Sequence, residues 1–325
     1  MRTSCLLAAL AVAVASAGCL PETGPGPGSA RPPGAPRGTA QVSASLRAQA
    51  ETELLSALDS TDPVIRAHAI EGLAEARGAA ARTEFLRKLS DPDPLVRFAA
   101  CMACGELRIA DARPLLLKLV TDADSSVQVG AIFALHRLGD VRFSSGLEEA
   151  LRSPEPSVRA NAAFALGRLG EKSAVKILLP ALRDRAPEVR LQSAEALWRL
   201  GNQQGLTYLV AAGISGNAAH QMVAILAMAA PRDRRVIEHV RCGKDSEYLE
   251  VRLVTARALG MLSSDEMFDI ALSAVRAGES RQRHLAALAL GAIGRPDAAD
   301  ALAALLKDPD PDVRVAAATA ILQLR

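Results

Sequence analysis

Apolar residues recur at spacings of three and four along most of this chain, which is the period of an amphipathic helix and not the alternation of a strand. Aspartate, proline and glycine interrupt the pattern at short intervals. Alanine is abundant and only 3% of the residues are aromatic, a composition that favours closely packed helices over sheets. We therefore predict an all-α fold built from many short helices.

The pattern repeats with a period of 31 residues and without insertion or deletion. The residue three positions after a reference column is always small, and the residue seven positions after it is aliphatic, methionine or cysteine. An earlier helix in each repeat has its own apolar column, from Leu54 to Leu302. Each repeat is thus predicted to be a pair of helices. The reference positions of the nine repeats are Arg66, Arg97, Gln128, Arg159, Arg190, Gln221, Arg252, Arg283 and Arg314.

Asp-Pro steps separate the two helices of several repeats. Aspartate suits the N-cap of a helix and proline its first position, so each step predicts the start of the second helix. A glycine follows the second helix in several repeats, where a C-terminal cap requires a left-handed residue. The steps are Asp62-Pro63, Asp93-Pro94 and Asp310-Pro311, and the glycines are Gly139, Gly170, Gly201 and Gly294.

A single helix pair cannot bury its apolar stripe, so neighbouring repeats must stack into one continuous core. The 31-residue unit, with the pattern D-P-x-V-R at the start of its second helix, resembles the HEAT repeat. In its short length it is similar to the HEAT-like repeats of phycobilisome lyases. The resemblance covers residues 41–325 and implies an α-solenoid, a right-handed superhelix of about nine two-helix repeats.

In the family that the chain resembles, an aspartate six residues before the reference arginine joins a ladder of side chains between repeats. Asp91, Asp122, Asp184 and Asp308 occupy that place here, although Asp122 precedes Gln128. The resemblance therefore implies a structural role for the arginine column. The predicted ladder residues are Asp91, Arg97, Asp184, Arg190, Asp308 and Arg314.

The N-terminus has the pattern of an export signal. One basic residue and a short apolar run predict a signal peptide over residues 1–18. Ser16 to Cys19 resembles the bacterial lipobox, which implies lipidation of Cys19, and the Pro/Gly-rich residues 19–40 predict a disordered tether. Leu20 favours the outer membrane by analogy. We expect an outer-membrane lipoprotein facing the periplasm or the cell surface, with a soluble periplasmic protein as the alternative.

The charge balance and the missing motifs limit the classes of function that we expect. Lys plus Arg (38) nearly balances Asp plus Glu (36), so a nucleic-acid partner is not expected. The five histidines are scattered, and neither HExxH, a phosphate-binding loop nor a nucleophile elbow is found. The His-Glu dipeptides of di-iron hydroxylases with such repeats are missing as well. We expect no cofactor and no catalysis; the predicted function is an envelope-tethered scaffold for unidentified protein partners, with membrane contact through the lipid alone.

Cys101 and Cys104 form a CxxC pair. Cys104 stands in the column that leucine fills elsewhere, and Cys101 stands in another apolar column. No second CxxC completes a four-ligand zinc site. Packing in the core is the favoured interpretation, while a disulfide or a metal site stays open.

A candidate partner-binding band lies on the second helices of repeats 2 to 5. An apolar band edged by arginines is typical of a groove for a peptide or a helix; the alternative is that these side chains fill gaps between repeats. A lyase-like or chaperone-like helper, with a pocket near Trp198 and His136, is the second functional hypothesis. The band consists of Phe98, Met102, Phe133 and Phe164, with Arg137, Arg168, Trp198 and Arg199 along its edge.

Repeat 6 departs from the pattern, with His220-Gln221 in place of Val-Arg and with Pro231 at the end of its second helix. This indicates either a bend or simple drift of the repeat. Repeat 9 has no polar capping repeat after it. We therefore expect a partner or a second copy to cover Val315, Thr319 and Leu322.

Overall fold

A computed structural model describes residues 42–325. Over this range every regular element is a helix, and the α-helices form nine consecutive pairs, which confirms the α-solenoid. The outer helices are Ala44–Ala57, Arg82–Lys88, Arg113–Leu119, Ser145–Ala150, Val175–Leu178, Gln203–Gly213, Ile237–Val240, Phe268–Ala274 and Ala299–Leu305. The inner helices are Pro63–Arg77, Pro94–Glu106, Ser125–Arg137, Pro156–Leu169, Pro187–Arg199, Ala218–Ala229, Leu249–Met261, Ser280–Ile293 and Pro311–Gln323. A short 3₁₀ turn precedes most of the outer helices. The signal peptide, Cys19 and the tether lie outside the described residues.

The predicted caps are present. The Asp62 side chain accepts a hydrogen bond from the Val64 N–H at 2.8 Å, and proline is the first residue of that inner helix. Asp93 and Asp310 cap their helices in the same way. The glycines Gly139, Gly170, Gly201 and Gly294 all have φ between 73° and 85°, as a left-handed C-terminal cap requires. The Asp-Pro steps and the glycines seen in the sequence therefore set the ends of the inner helices.

The core lies between the outer and inner helices. Every residue of the outer-helix column, from Leu54 to Leu302, is fully buried, and so is the column of small residues from Ala69 to Ala317. Small side chains there let the two helices of a pair approach closely. The periodic apolar positions thus form one continuous core, as predicted.

A further column, which is glycine or alanine in six of the nine repeats, controls how closely neighbouring inner helices approach one another. It lies eight residues after the reference position and contains glycine in four repeats. A Cβ atom at Gly167 would lie 2.6 Å from the Cα of Ala196, and one at Gly105 would lie 2.8 Å from the Cα of Ala134. Any larger residue would force these helices apart. In repeat 5 the same position is Trp198.

The two ends of the stack meet. The inner helix of repeat 9 packs against both helices of repeat 1, so the solenoid is a closed ring and not an open superhelix. The Arg47 guanidinium donates to the Leu324 carbonyl at 2.8 Å, and Arg314 Nε donates to the Glu53 carboxylate at 2.8 Å. We call this contact between repeats 9 and 1 the closure joint.

The closure joint corrects one expectation. Val315 and Thr319 are buried, and Leu322 is half-buried with its carbonyl accepting a hydrogen bond from Arg47. Thr319 lies against Gly72, so repeat 1 of the same chain covers this surface. The prediction that a partner or a second copy covers it was wrong, because the curvature brings the first repeat to the place where a further repeat would stack.

Candidate functional site: the inner face of the ring

The inner helices turn one face toward the axis of the ring. At 100° per residue, the positions opposite the core are those two residues before, five residues after and nine residues after the reference position. The five-residue column forms the middle layer, and none of its members is exposed. Neighbouring side chains therefore shield this layer from solvent. That layer consists of Glu71, Met102, Phe133, Phe164, Glu195, Leu226, Arg257, Leu288 and Thr319.

The predicted apolar band is not an open groove. Phe98 is 2% exposed and Phe133 is fully buried. Phe133 packs against Gly105 of the preceding inner helix, and Phe98 packs against Gly130 of the following one. Of the band's four apolar members only Met102 and Phe164 are partly exposed. The interpretation as an exposed binding band was wrong for Phe98 and Phe133, which fill gaps between repeats.

Trp198 is also buried, and its indole N–H donates to the Met228 carbonyl at 3.0 Å. His136 Nε2 lies 3.0 Å from the Glu171 carboxylate. Both residues therefore have partners within the chain, and neither lines the hollows that the structure shows in repeats 6 to 8.

The three arginines of the band lie together at one mouth of the ring. They occupy the column nine residues after the reference position in repeats 3, 4 and 5, at the C-terminal ends of the inner helices. We call Arg137, Arg168 and Arg199 the basic mouth. All three side chains are half-buried.

The basic mouth is partly neutralised from within the chain. Arg168 Nε donates to Glu106 at 2.6 Å, two repeats away, and the Arg168 guanidinium lies 5.6 Å from the centre of the Phe164 ring. Arg199 Nε donates to Glu195 at 2.9 Å. Within residues 42–325, the buried Nε of Arg137 has no acceptor. One arginine of the three is therefore left to bind an outside acceptor.

The arginine column forms a ladder between repeats, although its pairing differs from the one implied by the resemblance. Each aspartate pairs with the arginine of the preceding repeat, 25 residues earlier, in a two-pronged contact at 2.6 to 3.0 Å. The arginine of its own repeat donates instead to its backbone carbonyl, as Arg97 does to Asp91. The four pairs are Arg66–Asp91, Arg97–Asp122, Arg159–Asp184 and Arg283–Asp308.

Two of the predicted ladder arginines have other partners. Arg190 Nε donates to the Tyr208 hydroxyl at 2.9 Å, because Ser215 stands where the aspartate would be. Arg314 pairs with Glu53 across the closure joint. Arg97, Asp91 and Asp308 are ladder members, and so is Asp122, through Arg97 and not through Gln128. These buried and half-buried arginines thus fasten successive repeats together.

A cluster of titratable residues occupies the closure joint. The Asp312 carboxylate lies 2.6 Å from His68 Nδ1 and 3.1 Å from His284 Nδ1, and the two imidazole rings are 6.1 Å apart. Burial lowers the pKa of His68, but the hydrogen bond and the charge of Asp312 outweigh this and raise it overall. Loss of hydration raises the pKa of Glu71 to about 7, although the charges of His68 and Arg257 act in the opposite direction. The repeats at the two ends of the chain therefore share charged groups in a poorly hydrated place.

Sequence reasoning missed this cluster. His68 and Asp312 are 244 residues apart, and His284 belongs to a third repeat. Each stands in a column that other repeats fill mostly with apolar or small polar residues, such as Ala99 at the place of His68. The departure from the column was the available signal, but it acquires a meaning only once the ring is known to close.

The cysteines behave as the favoured interpretation predicted. Cys101 and Cys104 are free and fully buried. Burial raises the pKa of Cys101 well above its usual value and that of Cys104 to about 12. Thiols that remain protonated are poor nucleophiles and poor metal ligands.

Among residues 42–325, no group of histidine, cysteine and acidic side chains is arranged to hold a metal ion. In the same range no helix has the length and apolarity that a membrane span requires.

The chain is similar to several solved structures. No curated protein matches the chain. Among solved structures, the chain is similar to the complex of CpcE and CpcF of phycocyanin lyase from Nostoc sp. PCC7120, at 19% identity, over 77% of this chain and 97% of that one, with a TM-score of 0.46. Human deoxyhypusine hydroxylase matches at 22% identity over 78% of this chain and 98% of that one, with a TM-score of 0.39. An engineered protein matches at 22% identity over 84% of this chain and 87% of that one, with a TM-score of 0.32.

The repeats themselves identify the family. The model of HEAT repeats matches residues 51–136, 83–156, 144–229 and 241–323, which together span most of the chain. These matches agree with the helix pairs, the caps and the arginine ladder described above. The chain belongs to the family of HEAT-repeat proteins.

Proposed function

We propose that the chain is a non-catalytic scaffold that binds an acidic segment of a protein partner at the basic mouth. The observation that carries the proposal is the alignment of Arg137, Arg168 and Arg199 on three adjacent repeats at one mouth of the ring. HEAT repeats form extended helical scaffolds, and function on such a scaffold depends on its surface. Because the ends of this stack cover each other, the mouths and the outer wall are the surfaces left for a partner.

The arrangement at the mouth favours a segment with both acidic and apolar residues. Arg168 and Arg199 are held in place by Glu106 and Glu195, so they lose little conformational freedom on binding. Within the described residues the buried Nε of Arg137 has no acceptor. The side chain is half-buried, and the remaining guanidinium nitrogens can hold a carboxylate in the planar, two-pronged contact that arginine prefers. The half-buried Phe164 ring offers apolar contact beside the arginines.

Charge reversal at the mouth tests this proposal. In cells carrying tagged native chain, quantitative crosslinking followed by mass spectrometry should show a partner joined to repeats 3 to 5. An Arg137→Glu variant should lose at least tenfold of that partner, because the new carboxylate repels the acidic segment. The matched control is Arg234→Glu with Arg276→Glu, two exposed arginines outside the mouth. Equal recovery by Arg137→Glu and native chain, or equal loss by the control, would overturn the proposal.

Placement at the cell envelope is a separate part of the proposal, and the sequence around Cys19 supports it. A lipid on Cys19, followed by the Pro/Gly-rich residues 20–40, would hold the ring some distance from the membrane surface. Metabolic labelling with an alkyne fatty acid should mark the native chain and leave Cys19→Ala unmarked. An unlabelled native chain recovered in the soluble periplasmic fraction would favour the alternative of simple export.

A further inference from the structure

Arg252 stands apart from the other arginines of the reference column. The six others donate both to a side-chain acceptor and to two backbone carbonyls five and six residues before them, as Arg283 does to Asp308, Ala277 and Gly278. Within residues 42–325, Arg252 makes none of these bonds, and its Nε is buried without an acceptor. A buried polar atom without a partner is costly. The other guanidinium nitrogens of Arg252 are not among the buried unpaired atoms, so they can donate to an acceptor from outside the chain.

The sequence of repeats 7 and 8 explains why Arg252 has no side-chain partner. Ala277 stands where the ladder aspartate would be. Arg190 also lacks that aspartate but reaches the hydroxyl of Tyr208, 18 residues later. The residue 18 positions after Arg252 is Ile270, which offers no acceptor. Repeat 7 has therefore lost both of the arrangements that satisfy this arginine elsewhere in the ring.

Arg252 lines an open hollow of about 460 Å³ between repeats 7 and 8. Lys244 lines the hollow too, but its ammonium lies 3.6 Å from Glu266, which Arg241 also binds. Asp245 and Asp269 line the hollow as well, together with the apolar side chains of Met267 and Ile270. The hollow thus combines one unpaired guanidinium with two carboxylates that have no ion pair among the described residues.

From these charges we infer that the hollow binds a small zwitterion, with its carboxylate on Arg252 and its ammonium group between Asp245 and Asp269. The carboxylate takes the place of the missing ladder aspartate and accepts two hydrogen bonds from the planar guanidinium. The two aspartates disfavour an isolated anion and favour one that carries its own positive charge. A free amino acid has this chemistry, and so do neighbouring acidic and basic side chains of a protein segment. The site is independent of the basic mouth.

A titration followed by NMR tests the inference on the complete ring. The readout is the methyl signal of Met267, which lines the hollow. Leucine should shift this signal saturably, and acetate or ethylammonium alone should bind at least tenfold more weakly. A blocked Glu-Lys dipeptide added in place of leucine distinguishes the two sources: tighter binding of the dipeptide favours a protein segment, and tighter binding of leucine favours a free amino acid. Both results support the shared chemistry.

Two variants make the test specific. Ala277→Asp supplies the missing aspartate from within the chain, so it should pair with Arg252 and weaken leucine binding at least tenfold. Arg252→Gln should abolish binding without unfolding the ring, because Gln128 and Gln221 already occupy the same column and donate to backbone carbonyls there. The inference is overturned if no probe shifts the methyl signal, if acetate binds as tightly as leucine, or if binding survives in either variant.

Discussion

The closure joint and the joint between repeats 5 and 6 are built in opposite ways. At the closure joint, two repeats that are far apart in the chain are fastened by several polar contacts across it. At the joint of repeats 5 and 6, which we call the Trp198 joint, consecutive repeats meet around a single large aromatic side chain. The inner helices there touch over a shorter stretch than in any other neighbouring pair.

The closure joint resembles an ordinary joint with added polar contacts. Arg314 pairs with Glu53, Gln323 donates to Glu75, and Asp312 lies between two imidazoles. In each of these contacts a side chain from repeat 1 meets a side chain from repeat 8 or repeat 9. They hold the ring shut although no peptide bond joins the two repeats.

At the Trp198 joint the ladder is interrupted. Ser215 replaces the aspartate that Arg190 would bind, and Gln221 replaces the arginine of repeat 6. The indole of Trp198 occupies the place that glycine holds at the closest joints, so the two inner helices stand apart. The weakest place in the ring is therefore expected inside the chain and not where its ends meet.

The largest expected effect comes from removing the aromatic side chain. Trp198→Ala should lower the free energy of unfolding by about 3 to 5 kcal/mol, because it leaves a large cavity in a buried place. Urea denaturation measures this loss. Trp198→Phe keeps most of the apolar volume and loses only the hydrogen bond to Met228, so it should cost about 1 to 2 kcal/mol. A loss below 1 kcal/mol for Trp198→Ala would show that the helices close over the gap, and that the tryptophan does not hold the joint together.

The closure joint should depend on pH where the Trp198 joint does not. The pKa of Glu71 is raised from 4.5 to about 7, so the folded state holds a proton there that the unfolded state has lost, and stability falls as pH rises through this range. The pKa of His68 is raised from 6.5, so its contribution is present below 6.5 and is lost as pH rises through the folded value. Asp312 has a lowered pKa, and it would lose its contribution only in strong acid.

Glu71 and His68 thus both weaken the closure joint as pH rises, by about 1 to 3 kcal/mol in total between pH 5.5 and pH 8. Hydrogen exchange corrected for intrinsic rates should show Pro63–Arg77 and Pro311–Gln323 losing protection over this range, while Ser125–Arg137 keeps it. The Glu71→Gln variant should lack the loss of stability that occurs below pH 7, because glutamine does not titrate. Tighter closure at high pH would contradict the assigned signs.

These differences show what a repeat pattern predicts. The helix pairs, their caps and the buried columns could be predicted from the sequence because each of them recurs every 31 residues. Closure does not recur. It depends on the small rotation that each joint adds. The size of the side chain between two inner helices affects that rotation: Gly167 allows close contact, and Trp198 keeps the helices apart. A pattern that is the same in open and closed stacks cannot distinguish them.

The closure of the ring also explains why part of the predicted binding band is buried. Phe98 and Phe133 lie away from the core on a helical wheel, and a straight stack would leave them accessible. In the ring, the neighbouring inner helices converge on Gly105 and Gly130 and bury both rings. The arginines of the basic mouth share one edge because the column nine residues after the reference position depends on helical periodicity alone. Their role in binding a partner stays a prediction.

A substitution that restores the ladder should strengthen the Trp198 joint. Ser215→Asp places a carboxylate 25 residues after Arg190, as in the four ladder pairs, and should raise the free energy of unfolding by about 1 kcal/mol. The matched control is Ser246→Asp, which stands 25 residues after Gln221 and has no arginine to meet. Urea denaturation of both variants compares them. Equal changes in the two would mean that added charge, and not the pairing with Arg190, alters stability.

A smaller gain is expected at the end of the inner helix of repeat 6. Arg232 has a φ of 58° at the position where repeats 3, 4 and 5 have glycine. A side chain is strained in this left-handed conformation, so Arg232→Gly should raise the free energy of unfolding by about 0.5 to 1 kcal/mol, with the greater flexibility of the unfolded chain offsetting part of the gain. Gly201→Ala, at the same position of repeat 5, should cost a similar amount. Thermal denaturation of both variants gives the comparison, and a destabilised Arg232→Gly would mean that the arginine side chain contributes more to repeat 6 than its backbone strain removes.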